Sequence, residues 1–138
     1  MNVLGGASFG RLEGALHAAS LRQQVLSNNV ANVDTPFFKR SDVAFEELLT
    51  QAMDGEGTSV LPGRLTNERH IPIGGSSYSS PAPQIVTEDS TVINNDKNNV
   101  DIEKEMSMLA ENQLRYNLFV QQINHDVKMM RIGIDGRA

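Results

Sequence analysis

The chain has 138 residues, a formal net charge of −5, no cysteine, no tryptophan, two tyrosines and five phenylalanines. That length fits one small domain or one unit of a larger assembly. With so few rings to supply bulk buried area, aliphatic side chains and the six methionines must line helix seams rather than a thick core. An acidic balance, with Lys39-Arg40 as the only adjacent basic pair, excludes nucleic acid as an expected partner. The lack of cysteine excludes a disulfide framework and a thiolate zinc site. The segment MNVLGGASFGRLEGALHAAS has neither a basic n-region nor a long apolar h-region, so no cleaved secretory signal is expected. No apolar run approaches the ~20 residues of a membrane span, so the chain is expected to be soluble when made.

The first predicted element is a helix. Leu12, Leu16, Ala19, Gln23, Leu26, Val30 and Val33 follow one another in steps of four and three, the seam of a coiled coil with one polar interruption. Asp34-Thr35-Pro36 stops it, because the residue before proline is pushed out of the α region. A shorter helix follows, capped by Ser41 or Asp42, with Glu46 and Glu47 in its first turn and Phe45, Leu48, Leu49 and Met53 on its apolar side.

The middle is a different material. Of the residues from 54 to 100, 24 are Gly, Pro, Ser, Thr or Asn, and four of the five prolines lie there. Such a stretch reads as a loop-rich insert, in part disordered in the isolated chain. The apolar pairs Ile71/Ile73, Ile85-Val86 and Val92-Ile93 leave room for one small β-hairpin.

Asn98-Asn99, followed by Asp101, Glu103 and Glu105, reads as a helix start, with a capping side chain and then acid against the positive end of the dipole. The seam that follows is Ile102, Met106, Leu109, Gln113, Tyr116, Val120, Ile123, Val127, Met130 and Ile134, closed by Gly133 and Gly136. The expected fold is therefore mainly α, two long terminal helices in a coiled-coil-like hairpin around a loop-rich insert. Its segments are 1–40, 41–99 and 100–138. Placing Gln23 opposite Gln113 sets the register, so that Leu16 meets Val120, Leu26 meets Leu109 and Val30 meets Met106. Gln residues facing solvent or another chain are an equal alternative. Leu21, Val25, Leu114, Leu118 and Phe119 lie off the seams and widen the apolar stripes, as surface meant for other chains does.

Chemistry-bearing patterns are absent. His17, His70 and His125 belong to no HxxxH or HExxH arrangement, no GxSxG elbow places a serine, and no glycine pair precedes Lys-Ser/Thr. Asn94, Asp96, Asn98 and Glu105 match parts of a calcium-loop frame, but its sixth position is Asn99 where glycine is required. No catalytic, cofactor-binding or metal-binding residue is nominated, and no enzyme is expected.

Two segments carry a resemblance. Asn28-Asn29-Val30-Ala31-Asn32-Val33-Asp34-Thr35-Pro36 resembles the N-terminal signature of the bacterial flagellar axial proteins, the rod and hook family. Asn99-Val100-Asp101-Ile102-Glu103-Lys104-Glu105-Met106, continuing through Gln113 and Tyr116, is similar to that family's C-terminal signature. The short chain and the segment Leu65 to Pro72 resemble the proximal-rod members. After Pro36 the family usually has Gly-Tyr where this chain has Phe37-Phe38, and two exposed phenylalanines suggest contact with a neighbouring subunit.

The resemblance implies a structural subunit of the basal-body rod, needed for motility. It would be made in the cytoplasm, exported unfolded by the flagellar type III apparatus without a cleaved signal, and polymerised in the periplasmic space to transmit torque. Its partners would be that export apparatus, other rod and basal-body subunits and further copies of itself. Nucleic acid, membrane insertion and cofactors are not implied. The expected assembly seam is Leu12, Leu16, Leu26, Val30, Met106, Leu109, Tyr116, Val120, Ile123 and Val127. The matched signature positions are Asn28, Ala31, Asn32, Asp34, Thr35, Pro36, Asn99, Val100, Asp101, Glu105, Met106 and Gln113. From another class, a soluble helical-hairpin adaptor or export chaperone binding a partner helix is the alternative.

Overall fold

The computed structural model describes residues 7–55, 81–93 and 96–136. Five elements follow: α1 (Ala7–Ala31), β1 (Ser41–Ala44), α2 (Glu46–Gly55), β2 (Gln84–Thr87) and α3 (Ile102–Asp135). At 1.5 Å per residue α3 is ~51 Å long. α1 and α3 run antiparallel against each other and form the backbone of the molecule, with Asn29 bonded to Glu105 and Ala19 to Asn112.

Each helix end has a physical cause. Asp101 caps α3, its side chain accepting from the backbone N–H groups of Glu103 and Lys104. The expected Asn98-Asn99 cap is therefore displaced by two residues, and those asparagines do other work. Gly133 lies inside α3, and Gly136 alone ends it, at φ 64 with its N–H on the Ile132 carbonyl at 2.8 Å. Left-handed backbone there suits glycine.

The region after α1 corrects the expected cap at Ser41 or Asp42. Both residues lie in β1, which pairs antiparallel with β2 in the register Ser41↔Thr87, Asp42↔Val86, Val43↔Ile85 and Ala44↔Gln84. The small sheet is thus not a local hairpin of the insert. Its two strands are 40 residues apart and draw the insert back onto α1. Ile85-Val86 supplies the β2 strand, Val92-Ile93 is not in a strand, and Ile71/Ile73 lies outside the described residues. α2 begins after Phe45, whose carbonyl accepts the Leu49 N–H at 2.8 Å.

The core is small and sits at this elbow. Ala18, Val25, Val43 and Phe45 pack together, with Ala15, Leu21 and Leu49 against them. Leu21 and Val25 are therefore covered within the chain, whereas Leu114 and Leu118 remain 71% and 63% exposed. α1 uses one face against the elbow and also packs against α3, and its Leu26 is fully buried.

Candidate functional site

The two signature segments meet at the closed end of the hairpin. The first stops α1 with its own side chains: Asn32 Nδ2 donates to the Asn28 carbonyl at 2.8 Å, and Thr35 Oγ1 donates to Asn32 Oδ1 at 3.2 Å. The carbonyls of the turn that follows α1 are then met from the other end of the sequence. Asn98 Nδ2 lies 2.9 Å from each of the Asn32, Val33 and Thr35 carbonyl oxygens, and Asn98 Oδ1 accepts the Val100 N–H. One buried side chain thus pins the turn that follows α1, 63 to 66 residues away.

Next to it stands a buried charge pair. Arg40 Nε donates to Glu105 Oε1 at 2.8 Å, and Glu105 is fully buried. Its second oxygen accepts from Asn29 Nδ2 at 2.9 Å. Asn29 also clamps the strand: its Nδ2 donates to the Ser41 carbonyl and its Oδ1 accepts the Ser41 N–H. Arg40 reaches Glu88 at 3.2 Å and Asp42 at 3.6 Å, and its backbone N–H goes to Asn99 Oδ1 at 2.7 Å. Asn99 Nδ2 in turn holds the Glu88 carbonyl and Thr91. Both carboxylate oxygens of Glu105 are thereby satisfied, the condition under which a buried charge is tolerated.

Burial alone would lower the Arg40 pKa. The hydrogen bond and charge of Glu105, the hydrogen bond to Glu88 and the charge of Asp42 outweigh it, and the pKa is raised. The hydrogen bond from Arg40, with a second from Thr91, holds the exposed Glu88 carboxylate below its ordinary range.

Along the elbow a second set of charges ties α2 to the hairpin. Arg22 grips Glu46 with two bonds of 2.7 and 2.6 Å and donates to the Val43 carbonyl, while Arg115 reaches Glu46 and Glu111. The bond from Arg22 lowers the Glu46 pKa, and the same bond raises that of Arg22.

The polar layer of the hairpin lies one residue from the expected position. Gln23 Oε1 accepts from Asn112 Nδ2 at 3.2 Å, which also donates to the Ala19 carbonyl at 2.9 Å. Gln113 is exposed. Glu105 and Asn112 thus take the inward positions, and Met106, expected opposite Val30, is 52% exposed. Of the remaining seam residues, Leu26 is buried, whereas Leu12, Leu16, Val30, Leu109, Tyr116, Val120 and Ile123 are half-buried and Val127 is 46% exposed.

Among the signature positions, Asn99, Val100 and Glu105 are buried, Asn32 is half-buried, and Asn28, Ala31, Asp34, Thr35, Pro36 and Asp101 are exposed. Reading the sequence placed Asn29 within the N-terminal signature and missed Arg40, Glu88 and Asn112 as determinants, since no local pattern marks those three. Asn98 and Glu105, two members of the calcium-loop frame, are fully engaged in the clasp.

Two residues hold left-handed backbone, Phe37 at φ 63 in the turn after Pro36 and Lys97 at φ 65 in the loop before α3. They face each other: the Phe37 N–H donates to the Asp96 carbonyl at 3.0 Å, and Lys97 Nζ lies 5.7 Å from the Phe37 ring centroid. Phe37 is 69% exposed and Phe38 half-buried. Among the described residues no helix is long and apolar enough to cross a membrane.

A family model described as flagella basal body rod protein matches residues 12–39, most of α1 and its terminal turn. The chain is 36% identical over 127 residues to the flagellar basal body rod protein FlgB of Bacillus subtilis, with 91% of each chain covered. It is 37% identical over 118 residues to FlgB of Borreliella burgdorferi, covering 85% of this chain and 87% of that one. FlgB of Escherichia coli is 30% identical over 118 residues, 84% of each chain.

Proposed function

The chain belongs to the family of flagellar basal body rod proteins of the FlgB type, and from that membership we propose that it polymerises through its terminal helices as a subunit of the proximal rod. Its role is structural. The partners are further rod and basal-body subunits and other copies of the chain. It reaches the periplasmic rod through the flagellar type III apparatus, without a cleaved signal, and transmits torque through buried helix seams. The segments 1–40, 41–99 and 100–138 serve as axial helix, elbow with insert, and axial helix.

One observation carries the reading. Asn29 and Glu105, one from each signature segment, bond each other and hold the two terminal helices together, while aliphatic residues of α3 such as Leu114, Leu118, Val127 and Ile134 stay exposed. Exposed aliphatic surface on a helix that already has one partner is surface for further helices. An adaptor or chaperone is not favoured by the kinship. Mass spectrometry of hook–basal bodies, purified with extraction that strips loose proteins, tests the proposal. The chain is expected as an integral component, and its deletion is expected to abolish motility. Detection of the other rod subunits without this chain would contradict it.

A further inference from the structure

β1 and β2 bond each other along one edge, and their outer edges differ. The Glu88 N–H donates to the Arg40 carbonyl at 3.0 Å, so in this register the bonded pairs are Arg40·Glu88, Asp42·Val86 and Ala44·Gln84. Ser41 and Val43 on β1, and Ile85 and Thr87 on β2, therefore turn their backbone N–H and C=O groups outward. On β1 those groups are taken. Asn29 bonds both the N–H and the carbonyl of Ser41, Arg22 donates to the Val43 carbonyl, and the Asp42 carboxylate accepts the Val43 N–H. On β2, among the described residues, nothing bonds the N–H or carbonyl of Ile85 or Thr87. All of β2 is exposed, Ile85 by 55% and Val86 by 52%.

An open strand edge recognises an extended backbone, and the residues around this one fit their own copy. In antiparallel pairing centred on Val86, the outward groups of Ile85 meet those of the second copy's Thr87, and Val86 faces Val86 across a two-fold axis. Ile, Val and Thr are β-branched, the type that packs well between strands. Gln84 falls opposite the second copy's Glu88, an amide against a carboxylate, so no like charges meet. The next pair would need an N–H that Pro83 lacks, and the ladder stops there. We propose that the outer edge of β2 pairs antiparallel with β2 of a second copy of this chain. So short a strand makes a small, weak contact. It is two-fold, so it closes on two chains and does not propagate, and it stands apart from the contacts of the rod reading.

The full chain has no cysteine, so one introduced thiol reports the contact. Residues opposite each other in a non-bonded antiparallel pair have Cα atoms about 4.5 Å apart, within the span of a disulfide. Under mild oxidation at equal concentration, Val86→Cys is expected to link into dimers about tenfold or more faster than Gln84→Cys, which is exposed on the same strand but off the axis. Equal rates would overturn the proposal and leave the edge to a strand of another protein. Sedimentation equilibrium supplies the second readout, with concentrations taken up to about 1 mM because a small interface is weak. The mass of the wild type should rise with concentration, Val86→Lys should stay monomeric at unchanged Tm, and an equimolar mixture of Val86→Lys and Val86→Glu should regain the dimer. Association of Val86→Lys equal to wild type would overturn it. Val86→Glu sets a second acid opposite Asp42, and if that lowers its Tm, the comparison of the two cysteine variants decides.

Discussion

The closed end of the hairpin buries Asn29, Arg40, Asn98, Asn99 and Glu105, whereas the described residues of α3 beyond Asn112, and of α1 before Ala18, are half-buried or exposed. One end is polar inside and finished. The other is apolar and half open. The difference separates two tasks that one helix pair must perform. Directional bonds fix where the helices start, stop and face each other, since an unpaired buried amide or carboxylate is costly in any other arrangement. Aliphatic side chains without such constraints can pack against whatever neighbour arrives.

Substitutions that spare one end and strike the other should break this comparison. The largest effect is expected for Arg40→Met, which leaves Glu105 buried without its cation. It should cost about 3–5 kcal/mol in a urea melt of the isolated chain. Leu26→Ala follows at about 2–5 kcal/mol, because that side chain is fully enclosed. The same melts on Ile134→Ala should move stability by no more than about 0.5 kcal/mol, since three quarters of that residue is already in water. Similar losses for Leu26→Ala and Ile134→Ala would erase the distinction between the ends.

Acid should act on the closed half. The pKa values of Glu46 and Glu88 are held below the ordinary glutamate value of about 4.3 by Arg22 and Arg40. A carboxylate with a lowered folded pKa adds stability that is present above its unfolded pKa and is lost as pH falls through the folded one. Stability should therefore decline as the pH drops below about 5, and the decline should shrink in Arg22→Met. An effect of opposite sign is expected at Asn112, whose Oδ1 is buried with no hydrogen-bond partner among the described residues. Asn112→Leu should stabilise the monomer by about 1 kcal/mol and loosen the register of the helices, read as altered α1–α3 cross-linking.

The two long helices were legible in the sequence because a seam of threes and fours is a local, repeated signal. The register was legible only to within one residue. Gln113 and Asn112 are adjacent and both polar, and the pattern cannot say which of them turns inward until Glu105 is fixed by Arg40. That pairing joins residues 65 apart and has no period to betray it. The same holds for Ser41 and Asp42, which look like caps locally but are claimed by β2 across the insert. Long-range polar bonding, not local propensity, decided each of these positions.

Hydrogen–deuterium exchange on the dilute, isolated chain tests the account most directly, since amide protection tracks local opening. Protection should be strong from Ala18 to Ala31 and from Ile102 to about Tyr116, and weak over the rest of α1 and α3. Uniform protection along both helices, or faster exchange at the clasp than at the open end, would contradict it.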